Sequence, residues 1–269
     1  MTAVVRRTGV DICIGGVTVR VRSSGKAFLR MLDERYAGFM VHGGVPDYEF
    51  DVELTPPRDG SPDDDVRVWR SDGLWHLQRG DFRAEWDPVA RQGRIRQSAN
   101  PYSIDTVLRI VHTLVLAREG GFLMHAASAV RNGKAFIFTG VSGAGKTTLS
   151  RLAPPDADVL SDEISYVRKE GGRFYAYGTP FAGELARAGE NLRAPLDTVY
   201  LLTQGPENRI TDVDKAEAAR TLLRNLLFFA EDNELVQAVF LSALDLVEHV
   251  PVRRLTFLPE QERTLRPTG

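Results

Sequence analysis

The stretch Gly140-Val-Ser-Gly-Ala-Gly145-Lys146-Thr147 constrains this chain more than any other. It satisfies the pattern G-x-x-x-x-G-K-[ST]. The run Lys134 to Thr139 (KAFIFT) before it reads as a buried strand. A helical pattern follows from Lys146 to about Leu152, stopped by Pro154-Pro155. Glycines let the backbone fold tightly, so that successive N–H groups point at phosphate oxygens. The N-terminal end of the following helix adds positive potential. Gly140, Val141, Ser142, Gly143, Ala144, Gly145, Lys146, Thr147 and Thr148 form the expected nucleotide-binding set. In it the Lys146 ammonium meets the β- and γ-phosphates and the Thr147 hydroxyl ligates Mg²⁺. The chain has 29 arginines and only five lysines, so a lysine at this position is informative.

The flanking sequence predicts an α/β (α+β) fold in two parts. The first hundred residues read as mostly strand. Val10 to Arg22 alternates apolar and polar residues, and short runs follow at Tyr48–Leu54, Val66–Arg70, Leu74–Gln78 and Phe82–Trp86. Strands at such spacing predict an antiparallel sheet or meander. Residues 56–65 read as a polar loop tip. A helical period then begins, with Ser103 as N-cap and Gly120-Gly121 as terminator. The boundary is placed near residue 100: a β-rich domain over 1–100 and a nucleotide-binding domain over 101–269. Within the latter, strands are expected at Phe122–Val130, Lys134–Thr139, Asp158–Ile164, Thr198–Thr203 and Val252–Phe257. Helices are expected over Val213–Ala230 and Asn233–Val247.

A phosphate loop needs a metal-holding carboxylate at a neighbouring strand end. Asp162 and Glu163, after Asp158-Val-Leu-Ser161, are the candidates. One carboxylate can hold Mg²⁺ directly or through water, and another can accept the proton of an attacking hydroxyl. An acidic surface turn is the alternative. His125 lies one strand before the loop. Spacing alone makes it an ordinary strand histidine.

Composition excludes several classes. Net charge is −2, from 34 basic and 36 acidic residues, against a dedicated nucleic-acid or membrane-surface binder. Cys13 is the single cysteine, which rules out an intramolecular disulfide and Cys-rich metal sites. Met1 to Val10 carries no apolar signal core, so a cytoplasmic location is expected.

The run Met124 to Ile164 resembles the catalytic domain of the HPr kinase/phosphorylase family. The carrying residues are His125 in MHAASAV, the loop at 140–147, and Ser161-Asp162-Glu163 in place of that family's Ala-Asp-Asp. Tyr177-Gly-Thr-Pro-Phe-Ala-Gly-Glu184 and Val250-Pro-Val-Arg-Arg-Leu255 are similar to the shortened HPr-kinase-like proteins associated with peptide maturation, lasso peptides among them. The resemblance covers about residues 120–257. It implies a P-loop domain related to phosphoenolpyruvate carboxykinase and transfer of the ATP γ-phosphate to a serine hydroxyl. It makes Asp162 the general base, Glu163 a metal-side carboxylate with Thr147, and His125 a polar neighbour of Asp162. Asp162, His125 and Lys146 are thus the expected catalytic set, with ATP and Mg²⁺ as cofactors. The family's Glu-x-Arg-Gly signature is absent, so phosphorylase activity is not expected. The first hundred residues do not resemble the bifunctional enzyme's regulatory domain, which disfavours HPr as substrate.

The expected function is a Mg·ATP-dependent kinase acting on a hydroxyl, serine foremost, of a peptide or protein. Nucleic acid and membrane are not expected partners, and a homo-oligomer is left open. A small-molecule kinase, or a nucleotide-binding switch or scaffold without turnover, are the alternatives.

Overall fold

The turns and periodicities just described resolve into two β-sheets with helices between them. The computed structural model describes residues 8–57, 64–183 and 188–258. The first seven residues, most of the 56–65 loop tip, Glu184 and the polar tail from 259 lie outside the described residues.

The first sheet is built from β1 (Thr8–Ile14), β2 (Val17–Ser23), helix α1 (Lys26–Arg35), β3 (Met40–Val41), β4 (Tyr48–Leu54), β5 (Arg67–Ser71), β6 (Leu74–Arg79), β7 (Phe82–Asp87) and β8 (Gln92–Gln97). Its strand order is β3-β1-β2-β4-β8-β7-β6-β5. The alternation over Val10–Arg22 is a hairpin rather than one strand, turning at Gly15-Gly16 with φ of 61° and 80°. The sheet is also not the expected antiparallel meander: β2 pairs with β4, and β4 with β8, in parallel. The first of these pairings follows from α1, which the strand-based reading missed; the second is reached through the antiparallel run β5–β7. Helix α1 carries the chain over the sheet between β2 and β4, as a parallel connection requires. One face of the sheet buries Phe50, Trp75, Phe82 and Trp86. Each such ring contributes roughly 1.5–3 kcal/mol by leaving water.

The rest of the chain comprises α2 (Pro101–Glu119), β9 (Gly121–Arg131), β10 (Lys134–Thr139), α3 (Lys146–Arg151), β11 (Ala157–Ser161), β12 (Ile164–Glu170), β13 (Arg173–Tyr177), β14 (Arg193–Gln204), β15 (Arg209–Asp212), α4 (Lys215–Asn225), β16 (Leu226–Leu227), α5 (Asn233–His249) and β17 (Val252–Phe257). The long strand β9 organises this part. It pairs antiparallel with β10 and β12; β12 pairs with β13, β13 with β14, and β14 runs parallel to β10. The pairing therefore closes on itself. β17 extends β14 in parallel.

Helix α2 is capped by Asn100, whose Oδ1 accepts from the N–H groups of Tyr102 and Ser103. Ser103 is not the cap. Pro101 sits at the first helical turn, where a missing N–H costs nothing, so the capping role falls to the residue before it. Gly120, with φ 74°, ends the helix. Two further expectations shift. The predicted strand 158–164 breaks into β11 and β12, because Ser161 Oγ accepts from the N–H groups of Glu163 and Ile164 and turns the chain there. The predicted helix 213–230 stops at Asn225, and Leu226-Leu227 adds to β9.

The two sheets are tied together. One hydrophobic cluster runs from Ile12 to Val250. The Gly15 turn presses on Tyr166 of β12, where an added Cβ would lie 2.2 Å from the ring, and Arg168 donates to Gly15 O at 3.1 Å. Among the described residues no helix is long and apolar enough to cross a membrane.

Candidate functional site

β10 delivers the chain at Thr139 into the glycine-rich loop, and α3 leaves it at Lys146. Gly143 and Gly145 take φ of 78° and 106°, the left-handed region that favours glycine. Gly145 has a second constraint: a Cβ there would lie 2.1 Å from Phe257 Cζ. Ala144, Leu202 and Phe257 form a small apolar cluster beneath the loop. Gln204 braces the loop from β14 by donating to Gly143 O at 2.8 Å.

Lys146 is only 8 % exposed. Its Nζ donates to Gly140 O at 3.2 Å, which gives the buried ammonium an acceptor inside its own loop. Asp162 is 6 % exposed and lies in the turn between β11 and β12, with Glu163 beside it half-buried. The Gly183 N–H donates to Asp162 Oδ1 at 3.0 Å. The segment carrying Gly183 is itself anchored, since Thr179 N–H donates to Leu160 O at 3.0 Å and Thr179 Oγ1 to Ile164 O at 2.9 Å. His125 lies on β9 opposite Ile164. Burial, with the charges of Lys146 and Arg109, holds its imidazole below the ordinary value, so the ring is neutral at neutral pH.

These residues meet in one cleft of about 250 Å³, lined by His125, Ser142, Gly143, Gly145, Lys146, Thr147, Thr148, Asp162, Glu163 and Gln204. Of the residues expected from sequence, Gly140, Val141 and Ala144 do not line it. Gly140 packs against Ala144 and Leu202, Ala144 is buried in the apolar cluster, and Val141 is exposed. Asp162 also lines a second, smaller hollow of about 150 Å³ with Ser150, Asp158, Ala188 and Glu190.

Three neighbours escaped the sequence reading. Gln204 and Phe257 reach the loop from strands far along the chain, and no local signal marks them. Arg109, on α2, places Nη2 3.7 Å from Glu163 Oε2. Its guanidinium lies over the ring of Phe181, within the run 177–184 singled out from sequence, 5.1 Å from the centroid.

The residues suit Mg²⁺ in one respect. Among the described residues no cluster of three or more His, Cys, Asp or Glu side chains could cage an ion. Mg²⁺ beside a nucleotide uses one or two protein oxygens and takes the rest from phosphates and water. Thr147 and Glu163, lining one cleft, fit that mode.

No curated protein matches the chain. Among solved structures, the HPr(Ser) kinase/phosphatase from Coxiella burnetii matches 53% of this chain and 82% of its own, at 13% identity and a TM-score of 0.28. A likeness that low has no bearing on this chain's fold or chemistry. The model of one protein family matches residues 96–258, which hold the loop, the acidic turn, His125, Arg109 and the last strand. Because that match spans more than half of the chain, the protein belongs to the family of the SynChlorMet cassette protein ScmC.

Proposed function

We propose that the protein is a Mg²⁺- and ATP-dependent kinase that phosphorylates a hydroxyl, foremost a serine, of a peptide or protein. The reading rests on one observation above the rest: Asp162, nearly buried, lies between the glycine-rich loop's cleft and a second hollow. A base between a phosphoryl donor and an acceptor needs both sides open.

Bound Mg·ATP supplies the transferable phosphoryl group and the metal charge that offsets it. The remaining chemistry belongs to the chain. Amides of the loop hold phosphate oxygens, and Lys146 exchanges its loop carbonyl for them. Thr147 and Glu163 serve the cation. Asp162, oriented by the Gly183 amide, accepts the proton of the acceptor hydroxyl and aligns its oxygen. Neutral His125 donates or accepts a hydrogen bond beside it without adding charge. The division near residue 100 gives the first sheet the part of a supporting or substrate-holding domain.

The test is mass spectrometry of peptides incubated with the protein, Mg²⁺ and ATP, with Lys146→Ala as control. A gain of one phosphate on a hydroxyl, reduced about a hundredfold or more in the control, is expected. Phosphate on a small molecule alone moves the acceptor class, and no turnover with any acceptor overturns the kinase reading.

A further inference from the structure

Most of Ile104 to Ala117 of α2 is buried, and Arg109, its side chain 24 % exposed, is one of the two positions in that run that are not. Its Nε is buried and meets no hydrogen-bond partner among the described residues. A buried N–H in that state costs stability. Two contacts fix the guanidinium: the face of buried Phe181, and Glu163 Oε2 at 3.7 Å. The second is too long for a hydrogen bond and acts as charge on charge. Phe181 belongs to the same short segment as Gly183, whose amide holds Asp162. Arg109 therefore touches both halves of the acidic turn, one directly and one through Phe181.

We propose that Arg109 is a positioning residue that competes with the divalent cation for Glu163 and aligns the acidic turn, so that it sets metal affinity and turnover in opposite directions. The inference rests on the reading of Glu163 as the metal-side carboxylate. A cation entering beside Glu163 meets a fixed positive charge and must draw the carboxylate from it. Without Arg109 the cation binds more tightly, and the carboxylates lose their alignment. A purely structural arginine does the reverse for metal: its loss loosens the site and weakens binding.

The experiment measures the Mn²⁺ concentration that half-saturates binding of a fluorescent ATP analogue, and turnover, for wild type, Arg109→Gln, Arg109→Lys and Phe181→Leu. Arg109→Gln should need about tenfold less Mn²⁺ while turnover falls about tenfold, the order expected for removing one nearby charge. Arg109→Lys keeps the charge and should stay within about twofold of wild type for Mn²⁺. Phe181→Leu, which frees the guanidinium but spares α2, should shift the Mn²⁺ requirement in the same direction by about threefold, and decides the matter if Arg109→Gln does not fold. An unchanged or raised Mn²⁺ requirement in Arg109→Gln, or in Phe181→Leu where it stands in, overturns the inference. So does a Lys variant as tight as the Gln variant. Wild-type protein that binds the analogue equally with and without Mn²⁺ overturns instead the metal reading of Glu163 beneath it.

Discussion

The Gly183 amide donates to Asp162 Oδ1 at 3.0 Å, and a Cβ at Gly183 would stand 2.8 Å from Glu163 Cβ and 3.1 Å from Asp162 Oδ2. The segment 178–183 thus lies against both carboxylates at a distance only glycine allows. Gly183→Ala should push the segment off the acidic turn and lower turnover by about tenfold or more, since ångström-scale misplacement is enough to do so. Circular dichroism should stay unchanged. Wild-type turnover would show that this contact plays no part in placing the base.

The two carboxylates separate by mutation. Asp162→Asn keeps size and the oxygen facing Gly183 but cannot take a proton. Turnover should fall by roughly 10²–10⁴, with nucleotide affinity near wild type. Glu163→Gln should instead raise the Mg²⁺ requirement. Reversed outcomes exchange the two roles. Dissociation constants and turnover for both variants decide.

Gly145→Ala meets two obstacles, a φ of 106° and the Phe257 ring. The expected loss is roughly 1–3 kcal/mol, read as a shift in denaturant midpoint. A Phe257→Leu background should recover the steric share and leave the backbone share. A double-mutant cycle with no coupling removes the steric argument.

His112 predicts a pH dependence. It is fully buried on α2, edge-on to Tyr166, and burial pushes its imidazole down to about 3 from 6.5. The folded state thus binds its proton less readily than the unfolded chain. The stability this contributes is present above pH 6.5 and drains away as pH falls toward 3. At pH 5 the loss is about 2 kcal/mol. Unfolding free energies at pH 7.5 and pH 5 should differ by about that much less in His112→Leu than in wild type. An equal difference in both would mean that His112 carries no such penalty.

How far the sequence could be read depended on how local the determining physics was. β10 and β17 lie where periodicity placed them, and α3 within a residue of it, because apolar runs and glycine or proline punctuation act over a few residues. The loop's polar members and the acidic pair were legible for the same reason, and they do line one cleft. What was hidden acts at a distance. Alternation in the first hundred residues could not reveal that β2 pairs in parallel with β4 across α1, or β4 with β8. Nothing near Asp162 announced that Ser161 would end its strand. Arg109 reads as one more charge on a helix until the fold sets Phe181 beneath it.

Phe257 closes the last strand, and its ring fills the space beneath Gly145; its carbonyl accepts from the Gly205 amide. The loop therefore takes its shape from a residue near the far end of the chain. A truncation ending before β17 would thus take from the loop the ring beneath it, although every residue of the loop itself is kept.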